Sequence, residues 1–134
     1  FIDYMKEVIK VAGAIIKKND KYLIARRAPG DRSEGFWEFP GGKIEHGETS
    51  FDCIKRELKE ELNIDAEIGN LYSQYIYNHP HISYELFFYE VNFFSGNLKK
   101  NVHDKIKWEK LENFHNYVFL PGDGPVIQEL FNEM

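Results

Sequence analysis

Residues 41–64 read GGKIEHGETSFDCIKRELKEELNI, a glycine pair followed by an acidic amphipathic segment. Apolar residues recur there at helical spacing and predict a helix over 50–62 with one buried stripe. The predicted stripe consists of Phe51, Ile54, Leu58 and Leu62. Thr49 is placed to cap the first turn, with Asp52 three residues later in a variant of the capping box. The stretch therefore predicts a helix with a defined start and one face turned towards a core.

The same helix carries three glutamates, Glu57, Glu60 and Glu61, at positions i, i+3 and i+4. This spacing places their carboxylates on one face, beside the apolar stripe. Carboxylate oxygens suit Mg²⁺ or Mn²⁺. The preceding Gly41 and Gly42 allow close approach of the backbone to a ligand or an ion and expose carbonyl groups. Two interpretations stay open from these residues alone, a metal site or a solvated acidic helix face.

Strand-like runs rich in β-branched and aromatic residues flank this segment on both sides. They cover residues 8–16, 21–26, 67–78 and 82–94. A second helix is predicted over 124–133, with Pro125 in its first turn. Residues 28–47 form a Gly- and Pro-rich stretch that is too long for an ordinary connection, which is typical of a functional loop. With 134 residues, the chain is expected to form a single domain over 1–134.

Composition narrows the classes of protein to which the chain can belong. The 17 Lys and Arg against 22 Asp and Glu give a formal charge of -5, the wrong sign for a protein that coats nucleic acid. One cysteine, Cys53, cannot form an internal disulfide. No apolar stretch is long enough to span a membrane, and the start FIDYMKEVIK lacks the apolar segment of a signal peptide. We therefore expect a cytoplasmic protein with no membrane partner and no nucleic-acid polymer as partner.

Residues 42–64 resemble the Nudix box, whose pattern is G-x5-E-x7-R-E-U-x-E-E-x-G-U with U an aliphatic residue. The matching positions are Gly42, Glu48, Arg56, Glu57, Leu58, Glu60, Glu61 and Ile64. Asn63 stands where the family has Gly, and because Asn tolerates a left-handed helix end, we expect the turn to survive. The runs IARRAPGDRSEGFWEFPGGKIE and LPGDGPVI extend the resemblance to MutT-type nucleoside triphosphate pyrophosphohydrolases and to CTP pyrophosphohydrolases.

The resemblance implies an α/β fold, a Nudix-type α/β/α sandwich around a mixed β-sheet. It also implies hydrolysis of a nucleoside diphosphate linked to another group. The implied ligands of Mg²⁺, with Mn²⁺ as the other candidate, are Glu57, Glu60, Glu61 and the backbone carbonyl of Gly41. Glu57 is the expected base, orienting or deprotonating the attacking water. Glu48 and Arg56 are expected to brace the loop against the helix.

One position departs from the related enzymes. MutT-like enzymes often carry another metal-linked Glu about six residues before a Trp, and counting back from Trp108 gives Val102. Asp104 is close by, either as a substitute if the loop shifts or, in the preferred interpretation, as a turn residue. His103 is expected to be a surface or loop histidine.

The resemblance also implies substrate-facing residues, which are Arg27, Glu38, Phe39 and Asp123, with core packing as the other interpretation of Phe39. Arg32 in the loop is a further candidate, with a solvated side chain as its other interpretation. Arg27 ends the second predicted strand and is the expected phosphate contact, whereas Arg26 should point to the other face because strand side chains alternate. Asp123 is the expected specificity residue for the base, with a helix N-cap as its other interpretation.

The function predicted on these grounds is the Mg²⁺-dependent hydrolysis of a nucleoside triphosphate, of the CTP, modified dCTP or 8-oxo-dGTP type. The products would be a nucleoside monophosphate and pyrophosphate, and the role would be sanitising of the nucleotide pool. One alternative is a Nudix pyrophosphatase for ADP-ribose or dinucleoside polyphosphates. The other is a non-catalytic nucleotide-binding module, against which the three glutamates of the helix argue.

Overall fold

The computed structural model describes residues 7–134, so the first six residues of the N-terminal run quoted above lie outside the described part. The strands are β1 (Glu7–Lys18), β2 (Lys21–Arg27), β3 (Trp37–Glu38), β4 (Gly41–Lys43), β5 (Asp65–Asn78), β6 (Ile82–Ser95) and β7 (His103–Lys110). The helices are α1 (Ser50–Leu62) and α2 (Gly124–Asn132), with short 3₁₀ turns at Leu111–Asn116 and Pro121–Asp123. Among residues 7–134, no helix has the length and apolar character needed to cross a membrane.

The strands form one mixed sheet in which β1 is central. It runs parallel to β6 and antiparallel to β2 and β4, and the order along the sheet is β3-β2-β1-β6-β5. β7 adds to β2 in antiparallel register. The four strands predicted from the sequence are confirmed, and β7 was not predicted. The stretch 28–47 is only partly a loop, because β3 and β4 lie within it.

Helical layers cover both faces of the sheet. Alternate residues of β1 point to opposite faces, so that Ala14 and Ile16 join the core beneath α1 while Ile15 joins the core on the other side. α2 covers that second face through Val126 and Leu130. The predicted α/β/α sandwich around a mixed sheet is therefore confirmed.

The ends of α1 follow the prediction. The Thr49 hydroxyl accepts a hydrogen bond from the Asp52 backbone N–H at 3.0 Å, and Asn63 ends the helix in the left-handed conformation with φ of 61°. The predicted buried stripe is wrong at one position, because Phe51 is 44% exposed, with its ring edge to face with that of Tyr89. Cys53, next to Ile54, is buried in the stripe instead.

Candidate active site

The glycine pair brings β4 unusually close to its neighbours on both sides. A Cβ atom on Gly41 would lie 2.0 Å from the carbonyl oxygen of Ala12 in β1. A Cβ atom on Gly42 would lie 2.4 Å from Oε2 of Glu57 in α1. At Gly41 the clash is with backbone, so only glycine fits, whereas a side chain at position 42 would push the Glu57 carboxylate away from the backbone of β4, on which it rests.

Glu61 is the second carboxylate at this junction. It is buried, and its Oε1 atom has no hydrogen-bond partner among the described residues. Burial, followed by the nearby Glu57 and Glu38, raises the pKa of Glu61 to about 10. A buried oxygen without a partner, in a cluster of carboxylates, is the environment that a hard divalent cation would stabilise. The donor set fits Mg²⁺ or Mn²⁺.

Arg56 joins the loop before α1 to the helix itself. Its Nε donates to Glu48 at 2.7 Å, and its Nη1 donates to Glu57 at 2.7 Å and to Glu60 at 2.9 Å. The ion pair with Arg56 lowers the pKa of Glu48 to about 2. This geometry agrees with the bracing role expected for Glu48 and Arg56.

Arg56 Nη1 also links the third glutamate, Glu60, to Glu57, because it donates to both carboxylates. Glu60 is exposed and points to Arg56, and within residues 7–134 no three acidic, His or Cys side chains converge as a formed metal cluster. The structure thus brings Glu57 and Glu61 together with the glycine pair. A cation held by Glu57 and Glu60 would share both carboxylates with Arg56.

A β-bulge in the β2–β7 pair decides which residues of β7 face this site. Arg26 pairs with Lys105, but Arg27 pairs with His103, so that Asp104 is the extra residue on β7. Asp104 accepts two hydrogen bonds from Arg26, at 2.8 and 2.6 Å. Asp104 is therefore not a turn residue, because it belongs to β7, and its carboxylate is held by Arg26.

On the other side of the bulge, Arg27 and His103 share one carboxylate. Arg27 Nη1 lies 3.2 Å from Oε1 of Glu38, and His103 Nε2 lies 2.8 Å from Oε2 of Glu38. Arg27 also donates to Asp31 at 2.8 Å. The expectation that His103 is a surface or loop histidine is wrong, since its side chain is only 3% exposed.

Asp123 lies at the start of α2 and is buried. Its Oδ2 accepts a hydrogen bond from the backbone N–H of Phe39 at 2.9 Å, and it makes no side-chain capping bond to α2. Burial, followed by the nearby Glu38, raises the pKa of Asp123 to about 8. The carboxyl is therefore protonated at neutral pH and can donate as well as accept.

The remaining expected substrate contacts occupy different environments. The ring of Phe39 belongs to the core and lies about 6 Å from the rings of Phe88 and Phe114, which leaves only its backbone for a ligand. Arg32 is exposed, and it has no side-chain hydrogen bond within residues 7–134. Glu38 is buried, and its charge contributes to the raised pKa of both Glu61 and Asp123. Its side chain, and not only its backbone, belongs to the site.

Comparison with known proteins agrees with this architecture. The NUDIX domain model matches residues 8–130. The chain is 33% identical over 126 residues to a CTP pyrophosphohydrolase of Escherichia coli, covering 91% of this chain and 90% of that protein. It is 32% identical over 129 residues to an 8-oxo-dGTP diphosphatase of Haemophilus influenzae, covering 96% and 95%. The solution structure of the Escherichia coli ORF135 protein superposes with a TM-score of 0.85 at 30% identity, covering 96% of this chain and 92% of that one.

Proposed function

The chain belongs to the NUDIX domain family, and from that premise we propose that it hydrolyses a nucleoside triphosphate to a nucleoside monophosphate and pyrophosphate. The substrates proposed are CTP or a modified dCTP, and 8-oxo-dGTP, because similar proteins are named for CTP and for 8-oxo-dGTP. The proposed role is removal of damaged or surplus nucleotides by a single domain over 1–134 in the cytoplasm.

The observation that carries the proposal is the junction of Glu57 and Glu61 with the glycine pair. The Glu57 carboxylate lies against Gly42, the Glu61 carboxylate lies beside Glu57 and the Gly41 backbone, and Oε1 of Glu61 is buried without a hydrogen-bond partner among residues 7–134. Glu57, Glu60, Glu61 and the carbonyl of Gly41 are the proposed ligands of Mg²⁺, with Mn²⁺ as a substitute. The cation supplies neutralisation of phosphate charge and a lowered pKa of bound water. A chain of net charge -5 can then accept a triphosphate.

The residues around the metal ligands have separate tasks in this proposal. Glu57 orients the attacking water and takes its proton. Arg27, which is half-buried beside Glu38, binds a phosphate group, and the exposed Arg32 adds a second positive charge. Protonated Asp123 presents a donor and an acceptor to the base, which suits both the amine edge of cytosine and the edge of an oxidised guanine.

Pyrophosphate release, coupled to a pyrophosphatase, tests the proposal. The substrates are CTP, dCTP, 5-substituted dCTP and 8-oxo-dGTP, with ADP-ribose and diadenosine tetraphosphate as comparisons that are followed by product analysis. We expect turnover of at least one triphosphate with Mg²⁺ or Mn²⁺. Turnover of the two comparison substrates alone would replace the proposed substrate class, and no turnover of any compound would refute the enzymatic function.

Two substitutions test the proposed roles. Glu57→Gln should lower kcat by about 10²- to 10⁴-fold, the usual contribution of a positioned base, without a change in fold. Glu67→Gln is the matched control, since Glu67 is exposed on β5 and should leave the rate unchanged. Asp123→Ala should change the ratio of kcat/KM between cytosine and guanine nucleotides, and an equal loss on every base would contradict its selective role.

A further inference from the structure

His103 is a buried histidine whose ring has one polar partner. The Nε2 atom lies 2.8 Å from Oε2 of Glu38, while Nδ1 is buried and has no hydrogen-bond partner among the described residues. A carboxylate accepts hydrogen bonds, so Nε2 carries the ring proton and donates a hydrogen bond to Glu38. An unpartnered buried nitrogen is destabilising, and an apolar side chain would fill the same space without that cost. The position therefore has a use beyond packing.

The backbone is adapted to bring this histidine to Glu38. Without the bulge, Asp104 would stand opposite Arg27, and a third acidic group would face Glu38 and Asp31. With the bulge, Asp104 pairs with Arg26, and His103 takes the place opposite Arg27. Bulges that redirect side chains are common beside active sites.

Glu38 stands at the centre of the groups named so far. Arg27 holds it through two longer contacts, at 3.2 and 3.3 Å, and His103 provides the shorter one. The next residue, Phe39, donates its backbone N–H to Asp123 at 2.9 Å, and the charge of Glu38 is close enough to raise the pKa of both Asp123 and Glu61. A shift of the Glu38 carboxylate would therefore disturb the proposed phosphate contact, the metal ligands and the base contact together.

We propose that His103 is a positioning residue for nucleotide binding, whose Nε2–H holds Glu38 at a fixed point between Arg27, the α1 glutamates and Asp123. The inference rests on the proposed function for its substrate. In the absence of the Nε2–H donor, Glu38 keeps only the longer contacts to Arg27, and Arg27 is drawn further into a pair with Glu38. The nucleotide then meets a less well-ordered site, so that KM rises more than kcat falls.

A double-mutant cycle between His103 and Glu38 tests this inference. His103→Leu removes the donor and should lower kcat/KM by about tenfold to a hundredfold, which is the range for a lost hydrogen bond to a charged group. Most of this loss should come from a higher KM. His103→Gln places an amide N–H near the position of Nε2 and should restore most of the activity. In a Glu38→Gln background, His103→Leu should have little further effect. Ser83→Ala is the control, because Ser83 is also buried and hydrogen-bonded but lies opposite Asn78 near the end of the β5–β6 pair.

A ¹⁵N-correlated imidazole spectrum of the wild-type protein gives a readout that is independent of activity and of any variant that fails to fold. We expect the ring of His103 to carry its proton on Nε2. The inference would be overturned by an Nδ1–H tautomer or by an unchanged kcat/KM in His103→Leu. It would also be overturned if His103→Gln and His103→Leu lowered kcat/KM equally, or if His103→Leu had its full effect on kcat/KM in the Glu38→Gln background. If the wild-type protein turns over no nucleotide, the proposed function fails while the spectrum still tests the His103–Glu38 contact.

Discussion

Replacing Asp123 by Asn should remove a specific part of the pH dependence of stability. The pKa of Asp123 is raised from 3.8 to about 8, chiefly by burial. The native state therefore keeps a proton that the unfolded chain releases above pH 4. The contribution of this proton to the free energy of unfolding is fully present below pH 3.8. It is lost as the pH rises towards 8, since the unfolded state then binds fewer protons than the native state.

The size of the effect follows from the shift. Between pH 3.8 and about 8, each pH unit lowers the free energy of unfolding by about 1.4 kcal/mol. Asp123 alone should therefore lower the stability of the wild-type protein by about 3 kcal/mol between pH 5 and pH 7. That is a large share of the roughly 5–15 kcal/mol by which domains are usually stable. Asparagine has the shape of the protonated carboxyl and still accepts from the Phe39 N–H, but it does not titrate.

Urea unfolding at pH 5, 6, 7 and 8, followed by the fluorescence of Trp37 and Trp108 with a chelator present, measures the effect. The quantity of interest is the free energy of unfolding of the wild-type protein minus that of Asp123→Asn, because titrating groups that do not interact with Asp123 cancel in this difference. Asp20→Asn, at an exposed position in the β1–β2 turn, is the control and should run parallel to the wild type. Parallel curves for Asp123→Asn would refute the reasoning, since they would mean that the native carboxyl is already ionised at pH 5.

Three further outcomes are expected. Gly42→Ala should abolish turnover, because the added Cβ displaces the Glu57 carboxylate; activity near that of the wild type in the pyrophosphate assay would contradict the close approach of 2.4 Å. Asp104→Asn should leave kcat with Mg²⁺ unchanged within about twofold, because this side chain faces Arg26, and a loss comparable to that of Glu57→Gln would restore Asp104 to the metal site. Ile54→Ala should lower the free energy of unfolding by about 2–5 kcal/mol, whereas Phe51→Ala should lower it by less than about 1 kcal/mol because Phe51 is largely exposed. Similar losses for the two variants in urea unfolding would contradict the burial of Ile54 and the exposure of Phe51.

Local signals in the sequence were sufficient for most of the fold. Helix α1 was predictable because its cap at Thr49, its apolar period and its left-handed end at Asn63 are all encoded within fifteen residues. Phe51 was misplaced because helical spacing does not show where the covered face ends. Strand β7 was missed because Lys105, Lys107 and their neighbours give it a polar composition, and only pairing with β2 makes it a strand.

The contacts of the candidate site also divide into those that a local stretch of sequence predicts and those that it does not. The positions of Glu57 and Glu61 against the glycine pair follow from one continuous segment, and the sequence was sufficient to predict them. The contacts of Glu38 were not predictable, since they join residues 65 and 11 positions apart in the chain. The burial of His103 depends on a one-residue register shift that no periodicity in the sequence reveals.

The bulge in β7 also affects how related chains must be compared. A one-residue shift of register there would exchange the side chain opposite Arg27 without altering α1, β4 or Asp123. Such a change would replace an imidazole by a carboxylate opposite Arg27, or the reverse. Counting back from Trp108 against a chain that lacks this bulge would therefore match roles to the wrong side chains. Matching should follow the strand partners on β2.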